Sequence, residues 1–360
     1  MIELPVSSKI THLETIIDAI TKAGDKILEV YESDFQVEKK DDNSPITKAD
    51  LESNKIIKES LLKTGIPILS EEDVDDKSRM NSNKVWIVDP LDGTQDFVNR
   101  TGEFTIMVGL VENHIPVMGL VYVPTKKILY FAERGSGAFY NAGKWKKISV
   151  RNTSAISECL ALISRHHLSD KEKKMLDHLK IKNTASIGSS LKVMEIASGS
   201  ADIYLTSTNK MKQWDTAASH CIITEAGGKM TDISGNDLVY NTESVNHENG
   251  LLVTNGLIHE EIVWSKGRTK AELAKQTSWS SSKDWSGLSG LKVMCYDFNA
   301  HVALTAITSQ GVSHNKYLQI PVDKIDEVCK TLMQAKKLME SNNEQSKVCL
   351  LYTSPSPRDG

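Results

Sequence analysis

Cysteine is scarce and poorly placed for structural chemistry. The five residues Cys159, Cys221, Cys295, Cys329 and Cys349 are odd in number and scattered, with no CxxC pair. That argues against a structural zinc site and favours a reducing compartment. Long apolar runs are missing too, since no segment reaches the roughly 20 residues of a membrane-spanning helix. The start, MIELPVSSKI, lacks a basic region followed by an apolar one. Neither a leader nor an anchor is expected, and a cytoplasmic location is. Strong charge of one sign is also absent from the 360 residues, whose net charge is −4. The balance is uneven, however: Lys266 to Gly360 holds 13 Lys and Arg against 9 Asp and Glu, hence +4, leaving −8 for residues 1 to 265. The acidic body is not expected to bind nucleic acid. With 39% hydrophobic and 25% charged residues, the chain can build two domains or more.

What is present is acid at the ends of apolar runs. Val85, Trp86, Ile87 and Val88 have the composition of a strand buried on both faces, and the run breaks into Asp89, Pro90, Leu91, Asp92, Gly93 and Thr94. Pro90 biases Asp89 towards an extended conformation, which predicts an acid held at the strand tip. Gly93 lets a ligand approach the main chain. Two carboxylates three residues apart on a rigid turn make half of an oxygen-rich cage for a hard divalent cation. The same turn also reads as a capped helix start, with Asp92 satisfying free amides. The turn by itself supports both readings.

Elsewhere the chain alternates. Ile10, Leu13, Ile16, Ile17, Ile20, Ala23, Ile27 and Val30 predict an amphipathic first helix. Thr47 with Asp50 three residues on resembles a capping box ahead of a second helix. Ile66 to Leu69 predicts a strand that again ends in acids, Glu71, Glu72 and Asp73. Thr105 to Asn141 reads as an antiparallel meander, with helices to cover it. From Ile148, strands at Cys159 to Ile163 and Ala201 to Leu205 alternate with helices at Ser189 to Ser198 and from Gln213, the last ending at Gly227 and Gly228. His166, His167 and Cys221 are read as structural, and Trp86 and Trp214 as core.

Three clusters, SEED at Ser70 to Asp73, DPLDGT at Asp89 to Thr94 and WDTAA at Trp214 to Ala218, occur in this order. Together they resemble the magnesium-dependent, lithium-sensitive phosphatases of the inositol monophosphatase superfamily, over residues 8 to 262. DNSPITKAD at Asp42 to Asp50, DGTQDFVNRTGEFT at Asp92 to Thr105, SRHH at Ser164 to His167 and GSSLK at Gly188 to Lys192 are similar to its bisphosphate nucleotidase branch. Gln95 and Asp96 depart from the lysine and glutamate often seen there. The resemblance implies removal of the 3′-phosphate of 3′-phosphoadenosine 5′-phosphate, in sulfur assimilation. Inositol-1-phosphate hydrolysis is the alternative, and a nucleic-acid-associated role through the C-terminal appendage is the rival of another class.

By that resemblance Glu71, Asp89 and the Leu91 carbonyl hold one Mg2+, while Asp89, Asp92 and Asp215 hold a second, with two or three ions per site. Asp50 and Thr94, together with Glu71, are the catalytic group, orienting and deprotonating water. The amides of Gly93 and Thr94 suit a phosphate oxygen. Arg165 and Lys192 are the cations expected to meet the second phosphate. The implied fold is α+β and α/β, a two-domain α/β/α/β/α layered sugar-phosphatase type, as a monomer or homodimer. Its domains are residues 1–143, carrying the metal site, and residues 144–265, an α/β domain. Residues 266–284 read as a linker. Residues 285–345 read as a small β-β-β-α appendage, with its helix at Asp323 to Met339. Residues 349–360, CLLYTSPSPRDG, look like a translated sequencing adapter and are set aside as non-native.

Overall fold

The computed structural model describes residues 4–39, 45–165 and 168–265, and beyond them strands at 288–295, 301–308, 313–314 and 320–321. The chain divides into two compact units, Met1–Lys266 and Gly267–Gly360.

The first unit begins with α1 (Leu13–Tyr31), an antiparallel pair β1 (Val37–Lys39) and β2 (Pro45–Thr47), and α2 (Lys48–Leu61). Next come β3 (Ile68–Ser70), β4 (Lys84–Asp92) and a single-turn helix α3 (Thr94–Val98). The meander follows as β5 (Thr105–Glu112), β6 (Ile115–Val123), β7 (Ile128–Glu133), β8 (Gly137–Asn141) and β9 (Trp145–Ile148). The remainder runs β10 (Leu160–Ser164), α4 (Asp170–His178), β11 (Asn183–Ile187), α5 (Leu191–Ala197), β12 (Ile203–Thr206), α6 (Ala217–Glu225), β13 (Lys229–Thr231), β14 (Leu251–Thr254) and α7 (His259–Ser265).

Two sheets result. The larger has seven strands in sequence order, β3 to β9, antiparallel throughout except for the parallel pair β3 and β4. It runs through β9, beyond the boundary expected at Gly143. The smaller is ordered β11-β10-β12-β14-β13, parallel at its β11-β10-β12 side and antiparallel at the other.

Alternation along the strands explains the layering. In β4, Trp86 and Val88 face a core with Ile16, Ile20 and Ile27 of α1 and Ile57 of α2. Val85 and Ile87 face the opposite core, with Met194 of α5 and Ile222 of α6. Leu162 and Tyr204 of the small sheet join that second core, while Ala161 and Ile203 point the other way, onto Leu176 of α4 and Ile262 of α7. The layers are therefore α1 and α2, the large sheet, α5 and α6, the small sheet, and α4 and α7, the α/β/α/β/α order expected. Helix α6 lies unusually close to the large sheet: a Cβ on Gly119 would stand 2.1 Å from the Ala218 carbonyl oxygen. Only glycine lets the N-terminal end of this helix, with Asp215 just before it, sit down on β6.

In the second unit β15 (Leu288–Cys295), β16 (His301–Thr308), β17 (Ser313–His314) and β18 (Ile320–Pro321) form one antiparallel sheet in which β16 pairs with the other three. These four strands are what the structure describes of the expected β-β-β-α appendage at 285–345. The expected linker, the helix over Asp323 to Met339 and the tail from Cys349 lie outside the described residues.

Candidate active site

Asp89 is not at a strand tip. Strand β4 continues through Pro90 to Asp92, and its pairing with β5 shifts register between Asp89 and Asp92. This irregularity is the physical reason for the difference: proline is tolerated where the ladder is already interrupted, and a bulge re-aims side chains. Asp89 is buried, and one of its oxygens accepts from the Leu91 amide at 3.0 Å.

Two neighbouring elements lock this segment. The Ser53 hydroxyl of α2 donates to the Pro90 carbonyl at 2.8 Å. Asp92 accepts from the Ser190 amide and from the Thr105 hydroxyl, and Thr105 and Ser190 share a 2.7 Å hydrogen bond. Gly93 follows at φ +89°, and a Cβ there would meet the Glu103 carbonyl oxygen at 3.0 Å, so both its backbone angle and its surroundings call for glycine.

Asp50 has two jobs. Its Oδ2 caps α2, accepting from the Thr47 amide at 2.8 Å and the Thr47 hydroxyl at 2.7 Å. Its Oδ1 lies 3.1 Å from the Thr94 hydroxyl, which is also 3.1 Å from the Leu91 carbonyl. The capping reading and the pairing with Thr94 are thus both present, on different oxygens.

Glu71 leaves the end of β3, its amide donating to the Val88 carbonyl of β4 at 3.1 Å. Its loop is tied to α2: Asn54 receives the Ser70 hydroxyl at 2.8 Å and donates to Asp73 at 3.1 Å, and Lys58 pairs with Asp73 at 2.7 Å. Asp215 is set immediately before α6, held by the Lys212 amide at 2.6 Å.

The electrostatics record how these acids converge. Burial, with Glu71, Asp92 and Asp215 adding to it, pushes the Asp89 carboxyl well above the usual carboxylate range. Burial and then Glu71 do the same to Asp215, which Asp92 also raises. Asp92 is raised by burial, although the Ser190 amide and Lys192 pull the other way. Among the described residues no three such side chains already stand as a closed cage. The donor set still fits a hard divalent cation: it is all oxygen, and buried like charges gain most from a counter-ion.

The cations expected for substrate are engaged within the chain. Arg165 is exposed and its Nη2 donates to both carboxylate oxygens of Glu103, at 2.7 and 2.8 Å, and Glu103 also accepts from the Gly188 amide at 2.6 Å. Lys192 is buried, its Nζ donating to the Ser189 carbonyl at 2.6 Å and lying 5.1 Å from the centre of the Tyr204 ring. Burial holds its pKa below the ordinary lysine value, against the opposing pull of Asp92, Asp96 and Glu103. His166 and His167 lie outside the described residues. Trp86 lies in the core under α1 and α2, whereas Trp214, partly buried, packs against the core on the other face of the large sheet.

Sequence reasoning assigned no role to Asn54, Ser53, Thr105 or Ser190. Asp50, Ser53, Asn54 and Ile57 share the buried face of α2. Three polar side chains at helical spacing on a core face were the signal.

The layered fold defines a class, that of the inositol monophosphatase-type structures. Within it the chain belongs to the inositol monophosphatase family, whose profile matches residues 10–283. The 3′(2′),5′-bisphosphate nucleotidase CysQ of Salmonella typhimurium is 40% identical over 233 residues, covering 63% of this chain and 93% of that protein. The enzyme of the same name from Escherichia coli K12 is 37% identical with the same coverage. Among solved structures, CysQ from Bacteroides thetaiotaomicron superposes with a TM-score of 0.59 at 36% identity, covering 67% of this chain and 96% of that one. An inositol monophosphatase from Thermotoga maritima superposes with a TM-score of 0.61 at 29% identity, covering 71% and 96%.

Proposed function

We propose that this chain hydrolyses the 3′-phosphate of 3′-phosphoadenosine 5′-phosphate, releasing AMP and phosphate. The observation that carries the chemistry is the Thr94–Asp50 pair beside four converging acids. The choice of substrate is supported by the curated relatives that bear the nucleotidase name and are covered over 93% of their length.

Glu71, Asp89, the Leu91 carbonyl, Asp92 and Asp215 would hold Mg2+. When bound, the ion supplies positive charge to the phosphoryl oxygens and acidifies water. The chain's own residues do the rest. Thr94 Oγ1 orients the attacking water and passes a proton towards Asp50 Oδ1, which is held on its other oxygen by the cap. The water oxygen bonds to phosphorus as the bond to the ribose 3′-oxygen breaks, and that oxygen leaves with a proton. The Gly93 and Thr94 amides face a phosphoryl oxygen. Arg165 and Lys192 meet the 5′-phosphate, Arg165 exchanging part of its contact with Glu103 for the ligand.

Phosphate release should be compared on 3′-phosphoadenosine 5′-phosphate and inositol 1-phosphate, with magnesium, with excess chelator and with millimolar lithium. Preference for the nucleotide, dependence on magnesium and inhibition by lithium are expected. Preference for inositol 1-phosphate would replace this reading by the alternative, which the likeness to inositol monophosphatase structures favours. Full turnover in chelator would remove the cation from the mechanism.

A further inference from the structure

Arg79 lies in the loop that carries Glu71, and its guanidinium is buried, 2% exposed. Its fork grips Asp75 with two bonds, Nε to Oδ1 at 3.1 Å and Nη2 to Oδ2 at 2.9 Å. The same group reaches a segment more than 160 residues away: Nη1 donates to Asn241 Oδ1 at 2.8 Å and Nη2 to the Thr242 carbonyl at 3.0 Å. Asn241 answers by donating to the Ser82 carbonyl at 3.1 Å, and Lys77 Nζ donates to the Glu243 carbonyl at 2.8 Å.

The second segment is in turn bolted to the residue two before Asp215. The Asn241 amide donates to Gln213 Oε1 at 2.7 Å, and Gln213 Nε2 donates to Thr242 Oγ1 at 2.8 Å and the Ser244 carbonyl at 3.0 Å. The Gln213 carbonyl accepts from the Ala217 amide at 2.9 Å, at the start of α6. An unbroken series of hydrogen bonds therefore runs from the Glu71 loop through Asp75, Arg79, Asn241 and Gln213 to the turn that presents Asp215.

We propose that Arg79 is a positioning residue for the acidic centre, setting the separation of Glu71 from Asp215 and hence the affinity for the divalent cation. This rests on reading Glu71 and Asp215 as cation ligands. The two acids come from loops that share no backbone pairing, and each repels the other, so without a tie their separation would relax when no ion is bound. A lysine cannot supply the tie, because a single ammonium lacks the planar fork that serves Asp75 and Asn241 at once. Groups that hold ligands in place change metal affinity when altered, typically by about 10- to 100-fold.

The test is calorimetric titration of the full chain with magnesium chloride alone, alongside melting temperature and steady-state kinetics on 3′-phosphoadenosine 5′-phosphate. Arg79→Lys should weaken magnesium binding by about tenfold. It should also raise the magnesium concentration for half-maximal rate, with the nucleotide KM little changed. Lys77→Met, at a half-exposed position that leaves the fold intact, should shift magnesium affinity in the same direction by less. The control is Arg151→Lys, which alters the ion pair of Arg151 with buried Asp202 at 3.1 Å and should lower stability without touching magnesium affinity. If Arg79→Lys and Lys77→Met bind magnesium like the unaltered chain while only melting earlier, Arg79 is a brace and nothing more. Should Arg79→Lys not fold, Lys77→Met decides, and unchanged affinity there overturns the proposal. A chain that binds magnesium with this dependence yet hydrolyses neither phosphate ester keeps the inference and removes the functional reading.

Discussion

Asp89 shows what a single residue in this site costs and provides. Its carboxylate is buried with three other acids near it, so ionisation is opposed in the folded chain. Asp89→Asn removes that charge without changing shape. In chelator at pH 7 the variant should therefore melt at or above the temperature of the unaltered chain, and it should lose the stabilisation that magnesium confers. Its turnover should fall at least ~10³-fold, an estimate from the several kcal/mol that a Lewis acid supplies. A variant with near-normal turnover and a native circular dichroism spectrum would remove Asp89 from the site. Lys192 is the second residue to test. Its ammonium lies over the Tyr204 ring and donates to the Ser189 carbonyl, within the field of Asp92. Lys192→Met keeps the stem and removes the charge. The KM for the bisphosphate should rise far more than that for 2′-AMP or 3′-AMP, because the lost contact is to a group the smaller esters lack. Equal losses would place Lys192 outside the specificity site.

At the scale of elements, α6 is the piece whose placement matters most, and a buried polar chain fastens it. The Thr216 hydroxyl lies 2.8 Å from His247 Nε2 and receives the Tyr240 hydroxyl at 3.1 Å, and Tyr240 in turn lies 2.9 Å from His220 Nδ1. Burial, with His247 adding for His220, pushes both imidazoles down to about 4. A histidine whose folded pKa is depressed favours folding while it is neutral. The unfolded chain binds the extra proton once pH drops below its ordinary value near 6.5, so stability is lost between about 6.5 and 4. Asp89 and Asp215, with raised pKa values, work in the opposite sense in chelator, so the comparison must be between variants. As pH falls across this window, chemical-denaturation stability should drop less, or rise more, for His247→Gln than for the unaltered chain. Each histidine accounts for at most about 3 kcal/mol. Parallel slopes would show that His247 is not buried neutral. The helix itself was legible from WDTAA and the two closing glycines, but it begins at Ala217, after Gln213 to Thr216 have formed the turn that aims Asp215.

For the whole molecule, the two compact units separate at Lys266, and every residue assigned to chemistry lies before Ala217. We propose that residues 1–265 are the complete phosphatase. A chain truncated after Ser265 should be soluble and keep substantially the same kcat and KM. Loss of activity with an intact circular dichroism spectrum would mean that the appendage completes the site or an assembly needed for it.

The sequence by itself determined the layers and the acids. Continuous apolar runs such as Val85 to Val88 mark a strand buried on both faces, helical stripes such as Ile16, Ile20 and Ile27 carry a core face, and these local patterns suffice to specify which surfaces must be buried. Glu71, Asp89 and Asp92 stood out because charge at the end of an apolar run is costly unless it serves a purpose, and Asp215 through the WDTAA cluster that carries the family resemblance. Only the tertiary structure decided what holds them. The bulge after Asp89, the grip of Thr105 and Ser190 on Asp92, the division of Asp50 between Thr47 and Thr94, the engagement of Arg165 with Glu103 and the Arg79 clamp all join residues from different elements. The physical reason is directional. Burial depends on how many apolar groups face inward, which a linear pattern records, whereas a hydrogen bond depends on where two atoms lie, which is settled only once the sheets and helices have packed.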